Sequence, residues 1–172
     1  MTYSATKSSG FTLVETLTYA AGLLVILAGI VTFIFYLYDW YRSATVTTRT
    51  DQVGISLINR VLSDVRGADT ANDAGSIYNN QYGATSLTTS GAGVSTTTVY
   101  SLEGGALKQK VNSSATTTLT AADMWISGFY VKKLTTAVSS SVRAEISIDY
   151  RTRSGTSTAT YSGMAVLRQS YQ

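Results

Sequence analysis

The 172-residue chain contains no cysteine, no proline and no histidine. Without cysteine there are no disulfide staples, thiolate nucleophiles or thiolate metal ligands, and without histidine there is no imidazole for general-base catalysis or zinc binding. These absences exclude most enzyme chemistry and leave the composition of a non-catalytic protein. The missing cysteine assigns no compartment, because an oxidising space permits disulfides without requiring them. Charge is scarce as well: charged residues make up 13% of the chain and sum to +3. That surplus is too slight to indicate a nucleic-acid partner by itself. The length accommodates one membrane segment and one small domain of about 100 residues.

What the chain does have stands out at its N-terminal end. Between Phe11 and Tyr38 the one formal charge is Glu15, at the start of an otherwise apolar segment. A carboxylate there is costly in lipid unless a partner neutralises it. Apolar character persists over residues 17–38, and at about 1.5 Å per residue a helix of that length reaches roughly 33 Å, enough to cross a bilayer core. A secretory signal has a shorter apolar region that ends in a small-residue cleavage site, which fits less well. Thr12 and Glu15 also have capping-box spacing, so Glu15 can equally satisfy backbone donors at a helix start. Tyr36, Tyr38, Trp40 and Tyr41 stand where an aromatic belt would meet the headgroups.

The hexapeptide Gly10-Phe11-Thr12-Leu13-Val14-Glu15 ahead of this stretch resembles the class III signal of type IV prepilins and of the pseudopilins of type II secretion. The resemblance implies cleavage between Gly10 and Phe11 by a prepilin peptidase, N-methylation of Phe11, and assembly in which the Glu15 carboxylate pairs with the N-terminal amine of a neighbouring subunit. The leader departs from the family pattern in carrying only Lys7, with Ser9 where Lys or Arg is usual. The implied partners are other pilin or pseudopilin subunits, the peptidase, the cytoplasmic membrane and an inner-membrane assembly platform. The implied location is a single pass through the cytoplasmic membrane, N-terminus inside and head outside, followed by a periplasmic or cell-surface filament. No cofactor and no metal is implied.

Within the apolar segment Thr18, Ala21, Gly22, Ala28, Gly29 and Thr32 recur at near-heptad spacing. Such a stripe lets helices approach closely, and Gly22, Ala28 and Gly29 are its candidate packing residues; the competing reading is a lipid-facing stripe with no partner. Major pilins commonly carry a helix-breaking proline in this region. Here Thr32 stands near that place, and Gly22 and Gly29 weaken the helix by about 1 kcal/mol each.

Val46, Val53, Leu57, Val61 and Val65, with Ile58 and Leu62 beside them, continue the helix as an amphipathic face, and Gly67 supplies a stop. An unbroken helix over residues 11–66 would be about 84 Å long. The expected organisation is a leader (1–10), a transmembrane and assembly segment (11–38), an amphipathic helical segment (39–67) and a head (68–172).

In the head, residues 70–93 read as an irregular loop with one short strand near 77–82. Residues 95–102 and 106–111 flank Glu103-Gly104-Gly105 as a hairpin. Residues 116–120 are a weak strand, and 125–132 a strong one. Residues 142–152 alternate, with Ala144, Ile146, Ile148 and Tyr150 on one face and Arg143, Glu145, Asp149 and Arg151 on the other. Residues 157–169 close the chain as a strand paired with its predecessor. An antiparallel sheet with one apolar face needs cover, which the amphipathic helix can supply. The predicted class is therefore α+β. The order of INRVLSDVRGAD, VYSLEGGALKQKV, LTAADMWISGFYVKK and MAVLRQSY looks like that of the minor pseudopilins of the J or W type, low-copy subunits near a filament tip.

Asp64, Asp69, Asp73, Glu103, Asp123, Glu145 and Asp149 show no catalytic spacing and no phosphate loop, and read as solvated surface carboxylates. Asp69, Asn72, Asp73, Asn79 and Asn80 fall short of the alternating pattern of a calcium loop. Lys108, Lys110, Lys132, Lys133, Arg143, Arg151, Arg153 and Arg168, interleaved with Tyr130, Tyr150 and Tyr161, could form a basic face for nucleic acid. They read equally as residues that keep strand edges soluble. The expected function is a pilin-like structural subunit, not an enzyme; the alternative is a membrane-anchored adhesin or DNA-binding β module.

Overall fold

A computed structural model describes residues 12–91, 94–121, 124–137, 139–152 and 155–171. The chain divides into two compact units, Met1–Arg42 and Ser43–Gln172. Helix α1 (Leu13–Gly67) contributes to both. Its start follows from Thr12, whose carbonyl accepts the N–H groups of Glu15 at 3.0 Å and Thr16 at 3.1 Å and whose hydroxyl accepts the Glu15 N–H at 3.4 Å. These contacts satisfy donors that a helix end otherwise leaves unpaired. Its end falls at Gly67, as the sequence predicts.

In the second unit the helix carries a buried stripe of Thr50, Gly54, Leu57, Ile58, Val61, Leu62 and Val65, with Val53 packed at its margin. Eight strands follow: β1 (Thr70–Ile77), β2 (Ala84–Gly91), β3 (Val94–Glu103), β4 (Ala106–Val111), β5 (Thr117–Thr118), β6 (Trp125–Thr135), β7 (Ser140–Thr152) and β8 (Gly155–Val166), before a short 3₁₀ turn at Arg168–Tyr171. They form two antiparallel sheets, ordered β1-β2-β3-β4-β5 and β6-β7-β8. The α+β expectation is therefore met: the stripe of α1 packs with residues of both sheets in one core, including Leu87, Tyr100, Leu107, Phe129, Val131 and Ile146.

The β3–β4 hairpin turns on Gly104 and Gly105, at φ +60° and +74°, the double left-handed conformation that a two-residue turn of matching twist requires. Gly105 has a second constraint, since a Cβ there would lie 2.5 Å from the Trp125 ring. Strand β7 shows the expected alternation: Val142, Ala144, Ile146 and Ile148 are fully buried, while Arg143 and Arg151 are exposed.

The loop expected over residues 70–93 is a correction. Most of that segment is strands β1 and β2. In β2 the four successive residues Ala84, Thr85, Ser86 and Leu87 are all buried, so both faces are covered and small hydroxyl residues stand in core positions. No apolar/polar alternation remains to be read. The short strand expected near 77–82 is not an element of its own: Ile77 ends β1, and residues 79–83 run along β6, with Asn79 N–H donating to Val131 O at 2.8 Å, Gly83 N–H to Phe129 O at 2.7 Å, and Phe129 N–H to Gln81 O at 2.8 Å. The bridge is parallel and joins the two sheets.

Candidate functional site

The first unit presents its apolar side chains outward along its described length. Leu13 is 83% exposed and Leu27 48%, and none of the most apolar window of α1 is buried. Length and composition make it capable of crossing a membrane. The hydroxyls of Thr16, Thr18 and Thr32 are satisfied within the helix. The hydroxyl of Thr16 donates to Leu13 O at 2.9 Å, that of Thr18 to Val14 O at 2.8 Å, and that of Thr32 to Ala28 O at 2.8 Å. Such bonds let a hydroxyl enter an apolar medium without an unpaired donor.

Glu15 lies in the first turn of α1, where the exposed end of the helix dipole favours a negative charge, and it is itself exposed. Gly10 and Phe11, the expected processing site, lie outside the described residues. Gly22, Ala28 and Gly29 are exposed; a Cβ built on either glycine finds nothing within 4 Å. Neither glycine is required by packing among the described residues.

In the second unit the sequence reading missed how closely α1 sits on sheet and how polar part of that junction is. A Cβ on Gly54 would lie 2.2 Å from the Tyr161 ring, and one on Gly163 would lie 2.3 Å from Leu62. The Tyr161 hydroxyl donates to Asp51 Oδ1 at 2.6 Å. Gly54 stands beside Val53 as Ile58 and Leu62 stand beside Leu57 and Val61, so the spacing places it on the buried face. On the five-stranded sheet the Tyr100 hydroxyl donates to Asp64 Oδ2 at 2.5 Å, Gln109 Nε2 donates to the Tyr100 hydroxyl at 2.9 Å, and an Arg60 guanidinium N–H donates to Gln109 Oε1 at 2.9 Å. Burial, then the Asp64 hydrogen bond and charge, hold the Tyr100 hydroxyl well above the usual phenol range, with Arg60 opposing. Burial and Asp51 do the same for Tyr161.

The candidate acids are dispersed. Asp64 belongs to the network above. Asp69 accepts the Ser90 N–H at 2.5 Å, and Asp73 pairs with Lys133 at 2.7 Å. Glu103 pairs with Lys108 at 2.9 Å, whose ammonium holds its carboxyl below the usual range. Arg143 pairs with Glu145 at 3.5 Å, and Asp149 accepts the hydroxyls of Ser127 and Thr158. Asp123 lies outside the described residues. Asn72 and Asn80 accept the backbone N–H groups of Ala74 and Tyr82, and Asn79 accepts the Tyr130 hydroxyl. Among the described residues no three acids converge on a metal position.

The basic residues are divided between the two sheets. Lys108 and Lys110 are on β4 in one sheet, while Lys132 and Arg143 sit opposite each other in the other; Arg153 lies outside the described residues. A cavity of about 290 Å³ is lined by Asp69, Lys133, Thr136, Ser139 and Gln169 among others. Lys133 there is committed to Ala71 O and Asp73, and Thr136 to Ser139. No family model, no curated protein and no solved structure matches this chain.

Proposed function

We propose that the chain is a pilin-like structural subunit, inserted in the cytoplasmic membrane, processed between Gly10 and Phe11, and then polymerised into a type IV pilus or a type II secretion pseudopilus, as a minor subunit. The observation that carries this reading is the conjunction at the start of α1: an exposed Glu15 in the first turn, followed by a helical segment, to Tyr41, whose large apolar side chains are exposed among the described residues. Apolar surface of that extent must meet lipid or other protein. A long N-terminal helix followed by antiparallel sheet is compatible with a pilin-like fold.

In this reading Glu15 neutralises the new amine of Phe11 on an adjacent subunit, an attraction strengthened by the low dielectric around packed apolar helices. Gly22, Ala28 and Gly29 let neighbouring helices approach. The prepilin peptidase and an inner-membrane assembly platform are the further partners, and the work is polymerisation rather than turnover. In cells that assemble the filament, Glu15→Ala is expected to fold and insert normally yet be missing from sheared filaments; unchanged incorporation would overturn the reading. The adhesin or DNA-binding alternative has less support, because Lys108, Lys133 and Arg143 are each paired with an acid.

A further inference from the structure

Asparagine occurs five times in the chain, and Asn112-Ser113-Ser114 is the one triplet in which a hydroxyl residue follows two places on with no proline between. Asn-X-Ser is the pattern to which oligosaccharide is attached in exported proteins. Serine and threonine are abundant in this chain, so the triplet alone says little. Its placement in the fold decides more.

Asn112 directly follows β4 and takes a left-handed backbone, at φ +50°, which asparagine tolerates better than most residues. Its backbone N–H donates to Thr97 O at 2.7 Å, and its side-chain Oδ1 accepts the Thr97 N–H at 2.7 Å. The second bond fixes which end of the amide is which. A backbone N–H needs an acceptor, so the strand engages Oδ1 and leaves Nδ2, the atom that would carry a sugar, without a partner among the described residues. The Ser114 N–H closes the turn by donating to Val111 O at 3.0 Å, and the Ser114 hydroxyl makes no hydrogen bond among the described residues. Residues 112–118 are exposed without interruption, so the amide stands in an open stretch of surface. The backbone angle and the Oδ1 bond would be served equally by aspartate, which supplies a control.

We infer that Asn112 is an acceptor for N-linked glycosylation in the folded head, its glycosyl donor an oligosaccharide carried on a polyprenyl diphosphate. Transfer forms a bond between Nδ2 and the anomeric carbon and breaks that carbon's bond to the diphosphate oxygen, which departs with the bonding pair. Nδ2 gives up one proton to the transferase, and nothing is oxidised or reduced. Oδ1 takes no part in the new bond, so the contact with Thr97 survives modification. The Ser114 hydroxyl is the second group that the transferase reads. Modification in cells also requires the head to lie outside the membrane, as in the proposed function; the acceptor geometry does not.

The test incubates the full-length protein, in detergent, with a purified oligosaccharyltransferase that reads Asn-X-Ser without a further acidic residue, and with a synthetic polyprenyl-diphosphate oligosaccharide as probe. The tryptic peptide 111–132 should gain the mass of one glycan, while the Thr97 amide keeps its exchange protection in the modified protein. Asn112→Asp retains an Oδ acceptor and tolerates the turn, and should remove the mass gain entirely without loss of Thr97 protection. Ser114→Ala should slow transfer about tenfold or more. No transfer to the full-length chain, transfer that Asn112→Asp or Ser114→Ala leaves at the wild-type rate, or loss of Thr97 protection on modification would each overturn the proposal. Because no membrane takes part, failure here leaves the filament reading standing, and an uncut bond between Gly10 and Phe11 in cells would leave Asn112 as an acceptor.

Discussion

The two halves of α1 are one helix with opposite surfaces. From Leu13 to Tyr41 the large apolar side chains are exposed. From Leu57 to Val65 they are buried, Ile55 before them being exposed, and exposure passes to residues such as Gln52, Asn59, Arg60 and Ser63. Glycine marks the same contrast: Gly54 is held against the Tyr161 ring, whereas Gly22 and Gly29 face open space. Helix propensity cannot produce this difference, because both halves are equally helical. The second half packs on sheet in its own chain, whereas none of the most apolar window of the first half is buried among the described residues.

The contrast can be broken most severely by placing a charge in each half. Val61 is fully buried, so Val61→Asp leaves an unpaired carboxylate in the core and should cost about 4 kcal/mol or more, enough to abolish the cooperative melt of the head. Val25→Asp should leave that melt unchanged and act on membrane retention, at about 2.5–3.5 kcal/mol for a charge near the centre of a spanning helix. Thermal melts and membrane fractionation of the two variants separate the outcomes; a shifted head melt in Val25→Asp would erase the distinction.

A smaller effect is expected from adding volume. Gly54→Val must displace the Tyr161 ring and should destabilise the head by about 1–3 kcal/mol. Gly29→Val should not move the melt at all and should instead lower recovery in filaments. Chemical denaturation of each variant checks the first claim, and equal midpoints would contradict it.

The smallest effect concerns the hydrogen bond that fastens the second half. Tyr161→Phe removes the bond to Asp51 and should cost about 1 kcal/mol. Tyr100 and Tyr161 both have their deprotonation raised by burial and by a neighbouring carboxylate. Their contribution is thus fully present below the unfolded phenol value of 10.0 and is lost as pH climbs above it. Stability measured between neutral and strongly alkaline pH should fall above about pH 10, less steeply in Tyr161→Phe.

The apolar repeat from Val46 to Val65 was legible because helix burial leaves a period that hydropathy records. The alternation of β7 was legible for the same reason, and the Gly104-Gly105 turn because few other residues adopt its backbone. Strands β1 and β2 were not, since Thr85 and Ser86 occupy buried positions that a hydropathy pattern assigns to solvent. The short strand read near 77–82 had no partner assigned: the neighbour of 79–83, β6, lies some fifty residues on in sequence, and no local signal specifies a parallel bridge. Glu15 and the apolar segment were plain from composition, but Asp51, Gly54, Tyr161 and Gly163 became a unit only when the helix and β8 were brought together.

In the proposed reading, removing residues 1–10 creates the amine that Glu15 requires. Intact mass of the full-length chain, extracted from the membranes of a host with an active prepilin peptidase, tests it directly. A mature species that begins at Phe11 and carries one added methyl group is expected. A chain that retains Met1 in those membranes would contradict it.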